Sequence, residues 1–378
     1  MDRYLKPEIE AALKKKMVFL GGPRQVGKTT LSLSFLSPAG NEQHPAYLNW
    51  DNPLIPPRIK RVELPLNQKL IILDEIHKYA RWRNLVKGIF DTHKSSLKIL
   101  VTGSARLDYY RKGGDSLANR YRHFRLHPFS LREMNPKPTK EDLDCLLKFS
   151  GFPEPLFSQS ETEHRIWQRD RLSRVIRDDL RDLEKVKEIS LVEHLVELLP
   201  ERVGAPLSIK SLKEDLEVDH KTVARWLTIL DNLYVSFRIS PFGAKRIRAV
   251  KKEQKLYLWD WSMVPESSGF RFENLVASQL LKYCHWMEDT QGYKMELRFL
   301  RDTDKREVDF VVMKDNKPLF AVECKTGEKN VSEAIHYFSS RTPIPRFYQV
   351  HQGGRAYSAG PAIQVMPFIE FCKELEMP

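Results

Sequence analysis

Cysteine is scarce in this sequence and its apolar runs are short. The four cysteines, Cys145, Cys284, Cys324 and Cys372, lie far apart and form no CxxC pair. That spacing excludes a disulfide framework or a zinc cluster and fits a reducing, cytoplasmic setting. No stretch approaches the roughly 18 apolar residues that a membrane-spanning helix needs. The first residues, MDRYLKPEIEAALKKKMVFL, offer only four apolar residues after their lysines, too few for the core of a signal peptide. Internal repeats and low-complexity tails are also missing.

What the chain does carry is positive charge. Its 378 residues hold 62 Lys and Arg against 50 Asp and Glu, a formal net charge of +12. Such an excess favours a polyanionic partner, because each neutralised phosphate releases counterions. The other reading is a basic, solvated surface. Hydrophobic residues make up 41% and charged residues 30%, the balance of an ordinary globular chain long enough for two or three domains.

Residues 1–136 alternate short apolar runs (17–20, 46–50, 69–73, 97–103) with longer mixed segments, the pattern of an α/β domain. The Pro- and charge-rich stretch 134–142 marks a boundary. Residues 137–205 read as a helical, lid-like region, and residues 206–254 as a small helical module ending in a basic connector. Residues 255–378 return to an α/β pattern.

The run Gly22-Pro23-Arg24-Gln25-Val26-Gly27-Lys28-Thr29, with Thr30 following, matches GxxxxGK[ST] in full. Glycines let backbone N–H groups wrap phosphates, Lys28 reaches the β- and γ-phosphates of ATP, and the Thr29 hydroxyl ligates Mg²⁺. The apolar run 70–73 ends in Asp74 and Glu75, at the carboxyl end of a buried strand, where open α/β sheets bind ligands. Asp74 is expected to hold Mg²⁺ and Glu75 to polarise the attacking water. A further strand leads to Ser104, placed to contact the γ-phosphate or that water. Charge developing in the transition state calls for an arginine; Arg120 is the first candidate and Arg106 the second.

Together GPRQVGKTTL, DEIHKYARW, VTGSAR, SLANRYRHFRLHPFSLRE and GFPEP resemble a widespread prokaryotic family of AAA-type ATPases whose C-terminal region is of unknown function. The resemblance implies an AAA-like core with an added strand and a catalytic glutamate at Glu75. It also implies a homo-oligomer in which an arginine of one subunit completes its neighbour's site. Where that family usually has Gly-Arg, this chain has Asn119-Arg120.

Residues 207–242 have the cadence of a winged helix-turn-helix. Leu212 and Leu216 mark one helix, Val223, Trp226, Leu227 and Leu230 a second, and Asp219 is placed as its N-cap. His220, Lys221, Thr222 and Arg225 would face a major groove if the second helix reads DNA. Packing against protein is the other use of such a fold. The run Lys245, Arg246, Arg248, Lys251, Lys252 and Lys255 favours nucleic acid, with DNA the expected polymer.

Segments 301–313 and 318–328 read as a hairpin turning at 314–317. Glu323 and Lys325 share one face, and Phe320, Val322 and Cys324 the other, where Cys324 is expected to pack. Asp309 and Glu323 would bind a second Mg²⁺ or Mn²⁺, and Lys325 would position water for phosphodiester hydrolysis. A structural ion pair is the alternative. The D…ExK hairpin with the preceding helix resembles the PD-(D/E)XK nucleases, a restriction-endonuclease-like fold, and that resemblance adds Glu273 as a third carboxylate. Two functional expectations follow: an ATPase acting on nucleic acid through a nuclease-like domain, or a nucleotide-gated regulatory switch with a silent C-terminal domain.

Overall fold

The computed structural model describes residues 2–36, 40–103, 117, 119–179, 188–243 and 253–378. Ser104, Arg106 and the connector residues Lys245, Arg246, Arg248, Lys251 and Lys252 lie outside the described residues. The chain divides into two compact units, the first running to His127 and the second built on the residues from Pro128 onward. The main segment of the first unit ends at 127, nine residues before the expected boundary at 136. The segments expected as separate lid, helix-turn-helix and C-terminal domains share the second unit.

The first unit is a five-stranded, wholly parallel sheet. Its strands are β1 (Met17–Gly21), β2 (Tyr47–Asn49), β3 (Leu70–Asp74), β4 (Lys98–Thr102) and β5 (Tyr121–Arg125), in the order β2-β3-β4-β1-β5. Every residue of β1 and β3 is buried, and so is β4 after Lys98. Central parallel strands covered on both faces require such unbroken apolar runs. By contrast β5, at the edge, buries only Phe124. The insertion of β4 between β1 and β3 supplies the added strand that the resemblance implies.

The second unit holds helices at Lys140–Phe149, Pro153–Ser158, Glu161–Arg174 and Ile189–Leu198. Helices Ile209–Leu216 and His220–Asn232 follow, joined by residues 217–219, with Glu217 left-handed at φ 54°. Asp219 caps the second, accepting from the Lys221 and Thr222 amides at 2.8 and 3.0 Å. Leu212, Leu216, Val223, Trp226, Leu227 and Leu230 are buried at the expected spacing.

An eight-stranded mixed sheet completes this unit. Its strands are β6 (Ser236–Pro241), β7 (Lys255–Leu258), β8 (Met295–Arg301), β9 (Glu307–Lys314), β10 (Lys317–Lys325), β11 (Phe347–His351), β12 (Tyr357–Gly360) and β13 (Ile363–Pro367). They lie in the order β12-β13-β11-β10-β9-β8-β6-β7. The expected boundary at 254/255 therefore falls between β6 and β7, which pair with each other, while β6 also pairs with β8. One continuous hydrogen-bonded sheet crosses it, so no separable module ends there.

The expected hairpin is present, with its strand limits shifted. Residues 302–306 turn between β8 and β9, and the β9–β10 turn is only Asp315 and Asn316, at φ 50° and 64°. Two successive positive φ values make the two-residue turn whose twist matches antiparallel strands. Helix Phe270–Trp286 lies in contact with β7, β8, β9 and β10, buried along most of its length.

Candidate functional site

The loop after β1 has the shape that its glycines predict. Gly22 sits at φ 147°, and a Cβ there would run into the carbonyl oxygen of Leu126; Gly27 sits at φ 96° before helix Lys28–Leu33. Both positions favour a residue without a side chain. Lys28, only 7% exposed, turns its ammonium back onto the loop, donating to the carbonyls of Gly22 at 3.0 Å and Pro23 at 2.7 Å.

Asp74, buried at the end of β3, gathers three hydroxyls. Thr29 Oγ1 donates to its Oδ2 at 3.1 Å, the Tyr47 phenol to the same oxygen at 2.6 Å, and Thr102 Oγ1 to Oδ1. Burial, then the charge of Asp74, holds the Tyr47 phenol far above its ordinary range, so it stays protonated and donates. Thr29 with Asp74, and Lys28 on polar acceptors, form a donor set that fits the Mg²⁺–triphosphate group.

Glu75 follows in a left-handed conformation, φ 54° and ψ 19°, its amide bonded to the Thr102 carbonyl at 3.0 Å. A non-glycine residue in that region costs energy, and such strain concentrates at functional sites. His77 Nε2 lies 3.5 Å from Glu75 Oε2. Burial, helped by the charges of Lys78 and Lys28, pushes the His77 imidazole down to about 4, so the ring is neutral near pH 7.

The sequence reading therefore finds Gly22, Gly27, Lys28, Thr29, Asp74 and Glu75 together but misses Tyr47, His77 and Thr102. Thr102, the last residue of β4, stands two positions before the expected Ser104 in the sequence. His77 is printed in the DEIH run itself; nothing in that run marks it as buried.

Arg120 is not brought to this site within its own chain. Its carbonyl accepts from Met17 at the start of β1, and its guanidinium bonds Asp91 in helix Trp82–His93, Nε to Oδ1 at 2.8 Å. The phosphate-binding loop leaves the other end of β1, about 13 Å away at the rise of a strand. Within one chain the parallel pairing of β5 with β1 puts Arg120 at the opposite end of the strands from the phosphate loop.

In the second unit, β9 and β10 pair with Phe310 opposite Val322, which sets Asp309 beside Glu323. Lys325 Nζ bonds Glu323 Oε1 at 2.6 Å, as the shared face predicts. Glu323 is 6% exposed, and its Oε2 is buried without a hydrogen-bond partner. Cys324 is half-buried rather than packed away, and its amide donates to Asp309 Oδ2 at 2.8 Å.

Lys255, expected in a basic run that favours nucleic acid, is instead fully buried beside Glu273, Glu307 and Asp309. Its ammonium lies 3.4 Å from Glu273 Oε1 and 3.8 Å from Asp309 Oδ1, and bonds Glu307 Oε1. Tyr257 donates to Glu273 at 2.7 Å, and Arg301 bonds Glu307 at 2.6 Å. Burial, then the neighbouring Asp309, pushes both Glu273 and Glu323 up to about 8, and burial raises Asp309 as well. A second metal site on Glu273, Asp309 and Glu323 is not shown. The ammonium of Lys255 lies beside Glu273 and Asp309, and among the described residues no group of three or more His, Cys, Asp or Glu side chains is placed to hold a metal ion.

On helix His220–Asn232, His220, Lys221 and Arg225 are exposed and Thr222 is half-exposed. Among the described residues no helix is long and apolar enough to cross a membrane.

The chain is similar to several known proteins. Uncharacterised proteins of Mycobacterium bovis and Mycobacterium tuberculosis are each 21% identical over 363 residues, covering 93% of this chain and 80% of the relative. One from Methanocaldococcus jannaschii is 22% identical over 396 residues, covering 89% and 80%. A solved signal transduction ATPase with numerous domains, carrying a tetratricopeptide repeat sensor, from Pyrococcus horikoshii, aligns at 14% identity and a TM-score of 0.29. That alignment covers 76% of this chain and 48% of that one. Residues 140–273 and 268–371 match two domain families of unknown function, DUF8612 and DUF4143, which overlap at 268–273. Residues 14–135, which contain the loop, Asp74 and Glu75, match the family model described as an AAA domain.

Proposed function

We propose that this chain hydrolyses ATP and uses the nucleotide cycle to act on DNA without cutting it. The observation that carries the ATPase reading is Asp74, at the end of β3, joined to Thr29 of the phosphate loop at 3.1 Å with Glu75 next in the chain. Lys28 and the loop amides hold the phosphates, and Thr29 and Asp74 hold Mg²⁺. When bound, that ion neutralises charge on the phosphate oxygens. Glu75, oriented by neutral His77, takes the proton of the attacking water. Thr102 and Tyr47 fix the carboxylate of Asp74. Arg120 is assigned a role only across a subunit boundary, in a homo-oligomer.

DNA is proposed from the net charge of +12 and from the exposed His220, Lys221 and Arg225 at the start of their helix. The winged-helix and nuclease-like descriptions of the second unit belong to the same proposal. Cleavage is left out of it because Lys255 fills the acidic cluster.

A second reading has its own support. Glu214, Asp215, Glu217 and Asp219 are all exposed on the helix and turn beside that basic ridge. Mixed charge of this kind suits a protein partner better than a polyanion, as in a nucleotide-gated regulatory switch. The deciding experiment measures ATP turnover and binding with single-stranded, duplex and branched DNA and with RNA. ATPase lost in Lys28→Ala and in Glu75→Gln, with turnover raised by DNA, supports the first reading. Indifference to every nucleic acid favours the switch, and turnover unaffected by Glu75→Gln removes the catalytic assignment.

A further inference from the structure

Glu273, Glu307, Asp309 and Glu323 come from one helix and two neighbouring strands. Four carboxylates so close repel one another, and burial adds to the cost of their charge. Lys325 answers Glu323, and Arg301 answers the outer oxygen of Glu307. While Glu323 Oε2 is buried without a hydrogen-bond partner, three further oxygens, Glu273 Oε1, Glu307 Oε1 and Asp309 Oδ1, lie around the ammonium of Lys255.

Its position is built in. Lys255 opens β7, where it pairs with Ile239 on one side and bridges Pro206 on the other. The amide of Leu207 bonds the carbonyl of Gln254 at 2.7 Å. The stem runs past the Phe299 ring, 5.8 Å from the ammonium to the ring centre, and the side chain reaches no solvent. The backbone of Lys255 is thus anchored on both flanks and its side chain is wholly enclosed. Burial alone would strip its proton, but Glu273, Asp309 and Glu307 more than offset this and hold it charged.

We infer that Lys255 is a tethered cation that takes the place of a divalent metal ion beside Glu273, Glu307 and Asp309, leaving the C-terminal unit independent of metal. The ammonium and a metal ion compete for the same carboxylate oxygens, and Mg²⁺ demands oxygens at about 2.0–2.1 Å that the lysine holds apart. Removing the lysine is expected to convert the cluster into a metal site. This inference stands apart from the ATPase proposal, which its failure would leave intact.

The test follows the Tm of the nucleotide-free full chain in EDTA and in millimolar Mn²⁺. Wild type, Lys255→Met and the double variant Lys255→Met/Glu273→Gln are compared. The ATP site is common to all three, so differences report the acidic cluster. Wild type and the double variant are expected to show the same small response to Mn²⁺. Lys255→Met is expected to lose Tm in EDTA and recover about 5 °C or more on adding Mn²⁺. If Lys255→Met does not fold in EDTA, folding with Mn²⁺ present gives the same support. The inference falls if Mn²⁺ stabilises Lys255→Met no more than wild type. It falls too if the double variant, relieved of one carboxylate, fails to fold without metal.

Discussion

The phenol of Tyr47, on the edge strand β2, donates to Asp74 Oδ2 at 2.6 Å, on the oxygen that also accepts from Thr29 of the phosphate loop. The carboxylate is thus fixed from the flank of the sheet as well as from the loop. Tyr47→Phe removes a buried hydrogen bond to a carboxylate and is expected to lower stability by about 1–3 kcal/mol. Its kcat for ATP is expected to fall about tenfold, a loss of roughly 1.4 kcal/mol from the barrier. Steady-state ATPase assays against thermal unfolding separate the two effects. Unchanged kcat in a destabilised protein would reduce Tyr47 to a packing residue.

Glu75→Gln keeps the size of the side chain and removes its basicity. Its ATPase rate is expected to drop about 10²- to 10⁴-fold with ATP binding retained. Lys28→Ala, which takes away the ammonium now resting on the Gly22 and Pro23 carbonyls, is expected to lose binding itself. Equilibrium binding with a fluorescent nucleotide beside turnover distinguishes them.

His77 supplies a pH dependence in the first unit. Its folded-state value of about 4 lies below the ordinary 6.5, so the unfolded chain binds the extra proton between those values. Stability of this unit therefore falls as pH drops from about 6.5 to 4. Hydrogen exchange of the β3 segment, read at pH 7 and 4.5, should show the loss. Replacement by Gln should flatten it.

The acidic cluster gives the opposite slope. Glu273 and Glu323, raised from 4.5 to about 8, bind protons in the folded state that the unfolded chain has released. Their contribution to the second unit is greatest below about pH 4.5 and fades as pH rises to about 8. Exchange protection of β9 and β10 across that range should decline in wild type. In Glu323→Gln, which keeps the shape of the carboxyl without titrating, the decline should be shallower.

The local chemistry of this protein is legible in its sequence because it is local in the chain. A phosphate loop needs Gly22, Gly27, Lys28 and Thr29 within eight positions. A buried parallel strand reveals itself as Leu70–Leu73, and a helix cap as Asp219. The D…ExK hairpin is readable as well, since Asp315 and Asn316 set a register that puts Asp309 against Glu323. What the tertiary structure decided is which distant residues meet those groups. Sheet order brings Tyr47 and Thr102 to Asp74 from strands on either side of β3, a meeting that no spacing encodes. Parallel pairing of β5 with β1 puts Arg120 at the far end of the strands from the loop. Lys255 shows the limit most plainly, since its chain neighbours are basic and its spatial neighbours acidic. A lysine at the end of a charged run reads as solvated, and only the pairing of β7 with β6 carries it into the interior, where Glu273, Glu307 and Asp309 hold its charge.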